Sequence, residues 1–164
     1  MKRQCLVLLV ENNAGVLARI SSLFVQRGFN IDSLTVSPTE VERLSRITVV
    51  TTGDTKTLNQ IAKQTAKLNE AKLVFPIEED FSLVREIIMV KFANDNPDKE
   101  KIFEIAESFG ASVLDVTSES FIIELSSTPQ KIDDFLEAVE GYSLIEMCRS
   151  GAIAMERGSV DYDI

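Results

Sequence analysis

"VENNAGVLARISSLFVQRGFNIDSLTV", residues 10–36, leads from the end of an apolar run through two adjacent amides and a glycine into a helical pattern, then out to a second strand. Val16, Ile20, Leu23 and Phe24 recur at the spacing of an amphipathic helix, and Gly28 in "RGFN" fits its C-terminal cap. Before it, residues 4–10 read as a buried strand. After it, residues 31–36 and 44–51 read as two strands around "SPTEVER", the second alternating at Ile47, Val49 and Thr51. Gly53-Asp54 then opens a second helix, with Asp54 as its cap and Leu58, Ile61, Thr65 and Leu68 on one side. Residues 71–77 return as a strand, so the order is βαββαβ.

The second half repeats that order. Residues 87–92 read as a strand, and Pro97 suits the first turn of a helix carrying Ile102, Phe103, Ala106 and Phe109 and closed by Gly110. Residues 113–117 and 121–125 are strands joined by "SES". Thr128-Pro129 starts a helix with Ile132, Phe135, Leu136 and Val139 inward, Gly141 ends it, and residues 144–148 close the unit. The chain therefore reads as α+β, two tandem ferredoxin-like (βαββαβ) domains over residues 1–77 and 84–153. "EEDFSLV" links them, and a short polar tail, 154–164, follows. Two helices cover only one face of each sheet. Burying the other face against another domain or subunit contributes roughly 25 cal/mol per Å² of apolar area, so such small units are expected to associate, the chain being at least a homodimer.

Composition narrows the chemistry. The 164 residues carry a formal charge of −9, with ten basic and nine acidic side chains in residues 1–80 but seven and seventeen in residues 81–164. That excess of acid argues against nucleic-acid binding, and the change near residue 80 suits a domain boundary. No stretch reaches the roughly 18 apolar residues of a membrane span, and the run from Cys5 to Val10 is too short for a secretory signal. A cytoplasmic protein with no membrane association is expected. Cys5 and Cys148 read as small buried hydrophobes, and with no histidine and no clustered cysteine no metal site is expected. Neither a phosphate loop nor a nucleophile elbow is present. The acidic pairs Glu78-Glu79 and Asp133-Asp134 read as solvated surface, so no catalytic residue is assigned.

The opening turn offers more. A strand-to-helix turn exposes the first N–H groups of the helix, which favour an anion such as a small carboxylate. Asn12 and Asn13 carry donors and acceptors for both ends of a free amino acid, and Gly15 would let it approach the backbone, its side chain directed toward Ile31. On spacing alone, Asn13 as a helix cap and Gly15 as a relaxed turn explain the same residues.

The segment "ENNAGVLARISSLFVQRGFNIDSLTVSPTEVERLSRITVV" resembles the ACT domain of the regulatory (small) subunits of acetolactate synthase, also called acetohydroxyacid synthase. Glu11-Asn12, Gly15, Leu17, Arg19, Leu23-Phe24, Arg27-Gly28, Asn30-Ile31, Ser33-Leu34 and Ser45-Arg46 carry the likeness. It continues through "REIIMVKF", "VLDVTSESFIIEL", "KIDDFLE" and "EMCRSGAIAMERG", and so includes the second domain peculiar to these subunits. Two positions depart from the family pattern. Gly110-Ala111 stands where an Arg-Ala pair is common, and Cys148-Arg149-Ser150-Gly151 where Ala-Arg-Thr-Gly is usual.

The resemblance implies a subunit without an active site, which binds and activates the catalytic (large) subunit and confers feedback inhibition by valine or a related branched-chain amino acid. No cofactor is expected on this chain; thiamine diphosphate and magnesium would belong to the catalytic partner. Effector sites are implied at the interface of paired first domains. Each would draw on Asn12, Asn13, Ala14, Gly15 and Val16 of one subunit and Asn30 and Ile31 of its neighbour. A stand-alone amino-acid-sensing ACT protein acting on a transcriptional or uptake system is the alternative, and a ferredoxin-like domain using carboxylates for catalysis a weaker third. Copurification with a thiamine enzyme separates the first from the second, and turnover by the isolated chain would mark the third.

Overall fold

The computed structural model describes residues 2–95 and 97–158. These fall into two units, one running to Val84 and taking in the segment from Ala152, the other Arg85–Gly151. In the first, β1 (Lys2–Glu11), α1 (Val16–Gln26), β2 (Ser33–Pro38), β3 (Leu44–Gly53), α2 (Thr55–Thr65) and β4 (Ala71–Pro76) follow the expected order. The antiparallel sheet runs β2-β3-β1-β4, the ferredoxin-like arrangement. Strand alternation sends Leu6, Leu8 and Val10 of β1 and Ile47 and Val49 of β3 to one face, where Val16, Ile20 and Phe24 of α1 and Leu58 and Ile61 of α2 meet them. Thr65 is buried too, donating its hydroxyl to the Ile61 carbonyl at 2.9 Å.

The opposite face of this sheet, expected from the sequence to need cover from another domain or subunit, is already buried within the single chain. Val7, Leu9, Thr48 and Val50 are all buried there. Arg46 shares that face; its Nη2 donates to the Ala154 carbonyl at 2.7 Å while its guanidinium lies 5.9 Å from the Phe75 ring centroid. The unit's own C-terminal segment thus lies over the sheet. That segment includes a strand, β9 (Ile153–Glu156), which pairs with β5 (Ser82–Ala93). The expected polar tail from residue 154 therefore begins as a strand, and its residues 159–164 lie outside the described residues.

The linker reading also needs correction. "EEDFSLV" contains a 3-10 turn, Glu79–Phe81, and the start of β5 (Ser82–Ala93), so the strand begins five residues before the expected position 87. Glu86 explains the missed start: a carboxylate interrupts the apolar pattern, yet it is buried because Arg149 of β8 (Leu144–Arg149) binds it. Arg149 Nη1 also holds Asp133 of α4 (Pro129–Ala138) at 2.7 Å, which joins helix and sheet.

The second unit continues with α3 (Lys99–Phe109), β6 (Ser112–Val116), β7 (Ser120–Ser127), α4 (Pro129–Ala138) and β8 (Leu144–Arg149). Its sheet runs β6-β7-β5-β8. Ile88, Val90 and Phe92 of β5 and Phe121, Ile123 and Leu125 of β7 bury against Ile102 and Ala106 of α3 and Ile132 and Phe135 of α4. Pro97 sits one residue before the Asp98 N-cap rather than inside α3, whereas Thr128 and Pro129 occupy the N-cap and first turn of α4 as read. On the face away from the helices Ile87 and Met89 are exposed, beside a Lys91–Glu146 ion pair at 2.8 Å. Cys148, which pairs with Met89 across the strands, is exposed there rather than buried as expected, because no helix covers that face; Cys5 is half-buried.

Candidate functional site

The last core residue of β1 is Val10, and from Glu11 the chain turns toward α1. Backbone bonds fix that turn. Glu11 N–H donates to the Glu70 carbonyl at 2.8 Å, Asn12 N–H to the Arg43 carbonyl at 2.8 Å, and Asn13 N–H to the Glu11 carbonyl at 2.9 Å. Gly15 takes the N-cap position of α1 in the left-handed region, φ 88°, which a residue with a Cβ adopts only with strain. A Cβ built there would meet nothing within 4 Å, so the space beside it is open.

No side chain caps α1, and its first turn holds no acid. Asn13 is not the cap: its Nδ2 donates instead to Glu11 Oε2 at 3.0 Å. Lys72, 2.6 Å from the other Glu11 oxygen, holds the Glu11 carboxyl below its usual range, with Asn13 and the nearby Arg43 charge acting in the same direction against a small effect of burial. The negative charge of Glu11 is thus compensated within the turn. Asn12 is exposed, and its carboxamide has no partner among the described residues. Ala14 is exposed as well, but the Val16 side chain is a core residue, 5% exposed, and offers the turn only its backbone. The first N–H groups of α1 thus have no side-chain cap, an arrangement able to take a carboxylate.

Asn30 and Ile31 lie elsewhere. Ile31 packs against the core of the first unit, and β2 begins two residues later, at Ser33. Thr51, fully buried, donates its hydroxyl to the Asn30 carbonyl at 2.7 Å. Asn30 Nδ2 donates to Asp32 Oδ1 at 3.2 Å, and Thr52 donates to Asp32 Oδ2 at 2.7 Å. Glu11 is opposite Leu44 on β3, whereas Ser33 is opposite Val50. The two groups of candidate residues therefore sit at opposite ends of one sheet, about 20 Å apart by strand rise. One small ligand cannot touch both within a single chain.

The spacing of single residues does not disclose this supporting network of Glu11, Asp32, Thr51, Thr52 and Lys72. A signal for two of its members is in the sequence: an acid stands two residues from an amide in both Glu11-Asn12-Asn13 and Asn30-Ile31-Asp32. A separate shallow depression, lined by Ala18, Arg19, Ser22, Leu23, Gln26 and Leu68, includes none of the candidate residues. Among the described residues no cluster of His, Cys, Asp and Glu is arranged to hold a metal ion, and no helix is long and apolar enough to cross a membrane.

Two family profiles match the chain. Residues 6–71 match the AHAS small subunit-like ACT domain, and residues 85–158 match the small subunit of acetolactate synthase. The chain is 42% identical over 153 residues to the acetolactate synthase small subunit of Mycolicibacterium smegmatis, covering 93% of this chain and 90% of that protein. It is 38% identical over 157 residues to the acetolactate synthase isozyme 3 small subunit of Escherichia coli, covering 95% and 96%. The crystal structure of the acetolactate synthase small subunit from Thermotoga maritima superposes with a TM-score of 0.87 at 36% identity, over 98% of this chain and 100% of that one.

Proposed function

Because the chain belongs to the acetolactate synthase small-subunit family, we infer that it is the regulatory, non-catalytic subunit of an acetolactate synthase. It binds the catalytic subunit, raises its activity and carries the feedback response to valine or a related branched-chain amino acid. Thiamine diphosphate and magnesium belong to the catalytic partner, and the working place of the complex is the cytoplasm. Residues 1–77 form the ACT domain that dimerises and binds the effector, and the second ferredoxin-like domain, read as residues 84–153, has its body in Arg85–Gly151, since β9 (Ile153–Glu156) belongs with the first unit.

One observation carries the effector reading: the Asn12–Gly15 turn and Asn30 stand at opposite ends of the same sheet. Two copies joined edge to edge by a two-fold axis perpendicular to their strands run antiparallel, so the turn of one copy meets the Asn30 end of the other. β2 is suited to that junction. Among the described residues it is an edge strand with β3 as its only neighbour in the sheet, and Val36 on it is 43% exposed. On α1, Leu17 and Val25 fall on one stripe and are exposed as well. The effector's carboxylate then meets Asn12 and the first N–H groups of α1, and its ammonium meets amide oxygens. A ligand that binds one arrangement of the paired domains more tightly shifts the population toward it, and the catalytic subunit feels the shift.

Copurification tests the role directly. The tagged chain should retain the large subunit of acetolactate synthase, raise its turnover and make it sensitive to valine. A chain that binds valine but retains no such enzyme would instead be a free-standing sensor.

A further inference from the structure

The bonds around Asn30 settle which way its carboxamide faces. A carboxylate accepts hydrogen bonds and donates none, so the end of the amide turned to Asp32 must be the NH₂ group. Reversed, the amide would set its oxygen against an Asp32 oxygen with no proton between them. Thr52 holds the second Asp32 oxygen at 2.7 Å, and the Asp32 N–H is tied to the Val50 carbonyl at 2.8 Å, so the carboxylate is itself anchored to β3. Asn30 Oδ1 is left as an exposed acceptor. Asn13 repeats the pattern, its Nδ2 being taken up by Glu11.

We propose that Asp32 is a positioning residue which fixes the Asn30 carboxamide with its oxygen outward, so that the effector site demands an α-ammonium group. The proposal rests on the effector reading above and adds the reason for its selectivity. An oxygen held in place accepts from an ammonium without first having to be oriented, whereas a freely turning amide would offer NH₂ as readily and admit carboxylic acids that lack the amine. Thr52 supports the arrangement by holding Asp32, and Thr51 by holding the Asn30 carbonyl.

The test compares binding of L-valine and of 3-methylbutanoate, which has the same carbon skeleton without the amine, to the full-length protein by calorimetry. Asp32→Ala should lower the preference for valine over 3-methylbutanoate at least about tenfold, the worth of one hydrogen bond to a charged group, while the acid binds as before. Thr52→Val keeps the Asp32 charge and should lower the same ratio about threefold, which separates orientation of the amide from direct attraction between carboxylate and ammonium. An unchanged ratio in Asp32→Ala overturns the proposal, and so does equal weakening of both ligands, which would mean only a structural role. Asn30→Ala tells this failure from failure of the effector reading itself: if Asn30→Ala binds valine with unaltered affinity, Asn30 is not at the site, whereas if it loses affinity and Asp32→Ala does not, only the positioning role falls.

Discussion

The two units share a topology, and the turns between first strand and first helix occupy equivalent places, yet they are chemically opposite. In the first unit, Gly15 leaves the N-terminus of α1 uncapped, without acid in its first turn and with the amides of Asn12 and Asn13 exposed. In the second, the turn is closed by its own side chains. Asn94 Nδ2 donates to the Thr117 carbonyl at 2.5 Å, and Lys99 donates to Asn94 while its ammonium lies 5.5 and 5.7 Å from the Phe103 and Phe121 ring centroids. Asp98 stands at the N-cap of α3, its carboxylate bound to Lys101 at 2.7 Å with no capping hydrogen bond of its own, and Glu100 places an acid in the first turn. The helix dipole there already has its negative charge. One scaffold thus gives a turn that can receive an anion and a turn that would repel one, and the difference lies in a few side chains.

The sheet faces away from the helices differ as well. Val7 and Val50 of the first unit are 0% and 3% exposed, whereas Ile87 and Met89 of the second are 44% and 41% exposed. The largest effect should come from breaking this contrast. Val7→Asp places a carboxylate where it has neither water nor a partner, and should cost about 4 kcal/mol or more of stability, read from urea unfolding. Ile87→Asp, on the open face, should cost under about 1 kcal/mol. Equal losses would mean that the two faces are not different in the folded protein.

The contrast between turns can be sharpened by making one like the other. Ala18 is exposed in the first turn of α1, the turn that holds Glu100 in α3, and stands off the Leu17–Val25 stripe. Ala18→Glu should weaken valine binding about two- to fivefold, the strength of a charge–dipole interaction at a helix end, with no loss of thermal stability. Calorimetry at low salt checks this, and the deficit should shrink as salt is added.

A smaller effect concerns the charge inside the turn. Lys72 lowers the Glu11 pKa in the folded state, so this pair contributes stability above the ordinary carboxylate pKa and loses it as the pH falls through the lowered value. Lys72→Met should move the Glu11 titration upward toward its ordinary position, as followed by NMR of the side-chain carboxyl. Stability at neutral pH should barely change, because the half-exposed Glu11–Lys72 pair is screened by water.

Much of this fold was legible from local chemistry. Val16, Ile20 and Phe24 declare α1 by spacing and are buried, and Thr128-Pro129 announces α4, with the Thr128 hydroxyl accepting from Lys131 N–H. What escaped depends on partners distant in sequence. Glu86 reads as a surface acid until Arg149, 63 residues away, is seen beside it, and β9 is too short for an alternation pattern to reveal. Ile31 read as the start of a strand because it is β-branched and apolar, but it fills the core from a loop. The candidate turn was legible for a similar local reason, since Asn-Asn-Ala-Gly before a helical pattern can only be a helix start. That Asn30 lies at the other end of the sheet needs the strand register, and that Asp32 and Glu11 orient the amides needs side-chain geometry.

The claim that the α1 turn receives the effector is tested most directly by Gly15→Asp, assayed with the catalytic subunit for turnover at increasing valine. The aspartate would extend into the open space beside the turn and repel the ligand carboxylate, and its Cβ would strain a backbone held at φ 88° by about 1 kcal/mol. The expected result is full activation of the enzyme by the variant with valine inhibition lost, a shift of more than about 100-fold in the inhibiting concentration. Normal inhibition by valine in an equally activated complex would contradict the account, since the effector would then bind somewhere other than this turn.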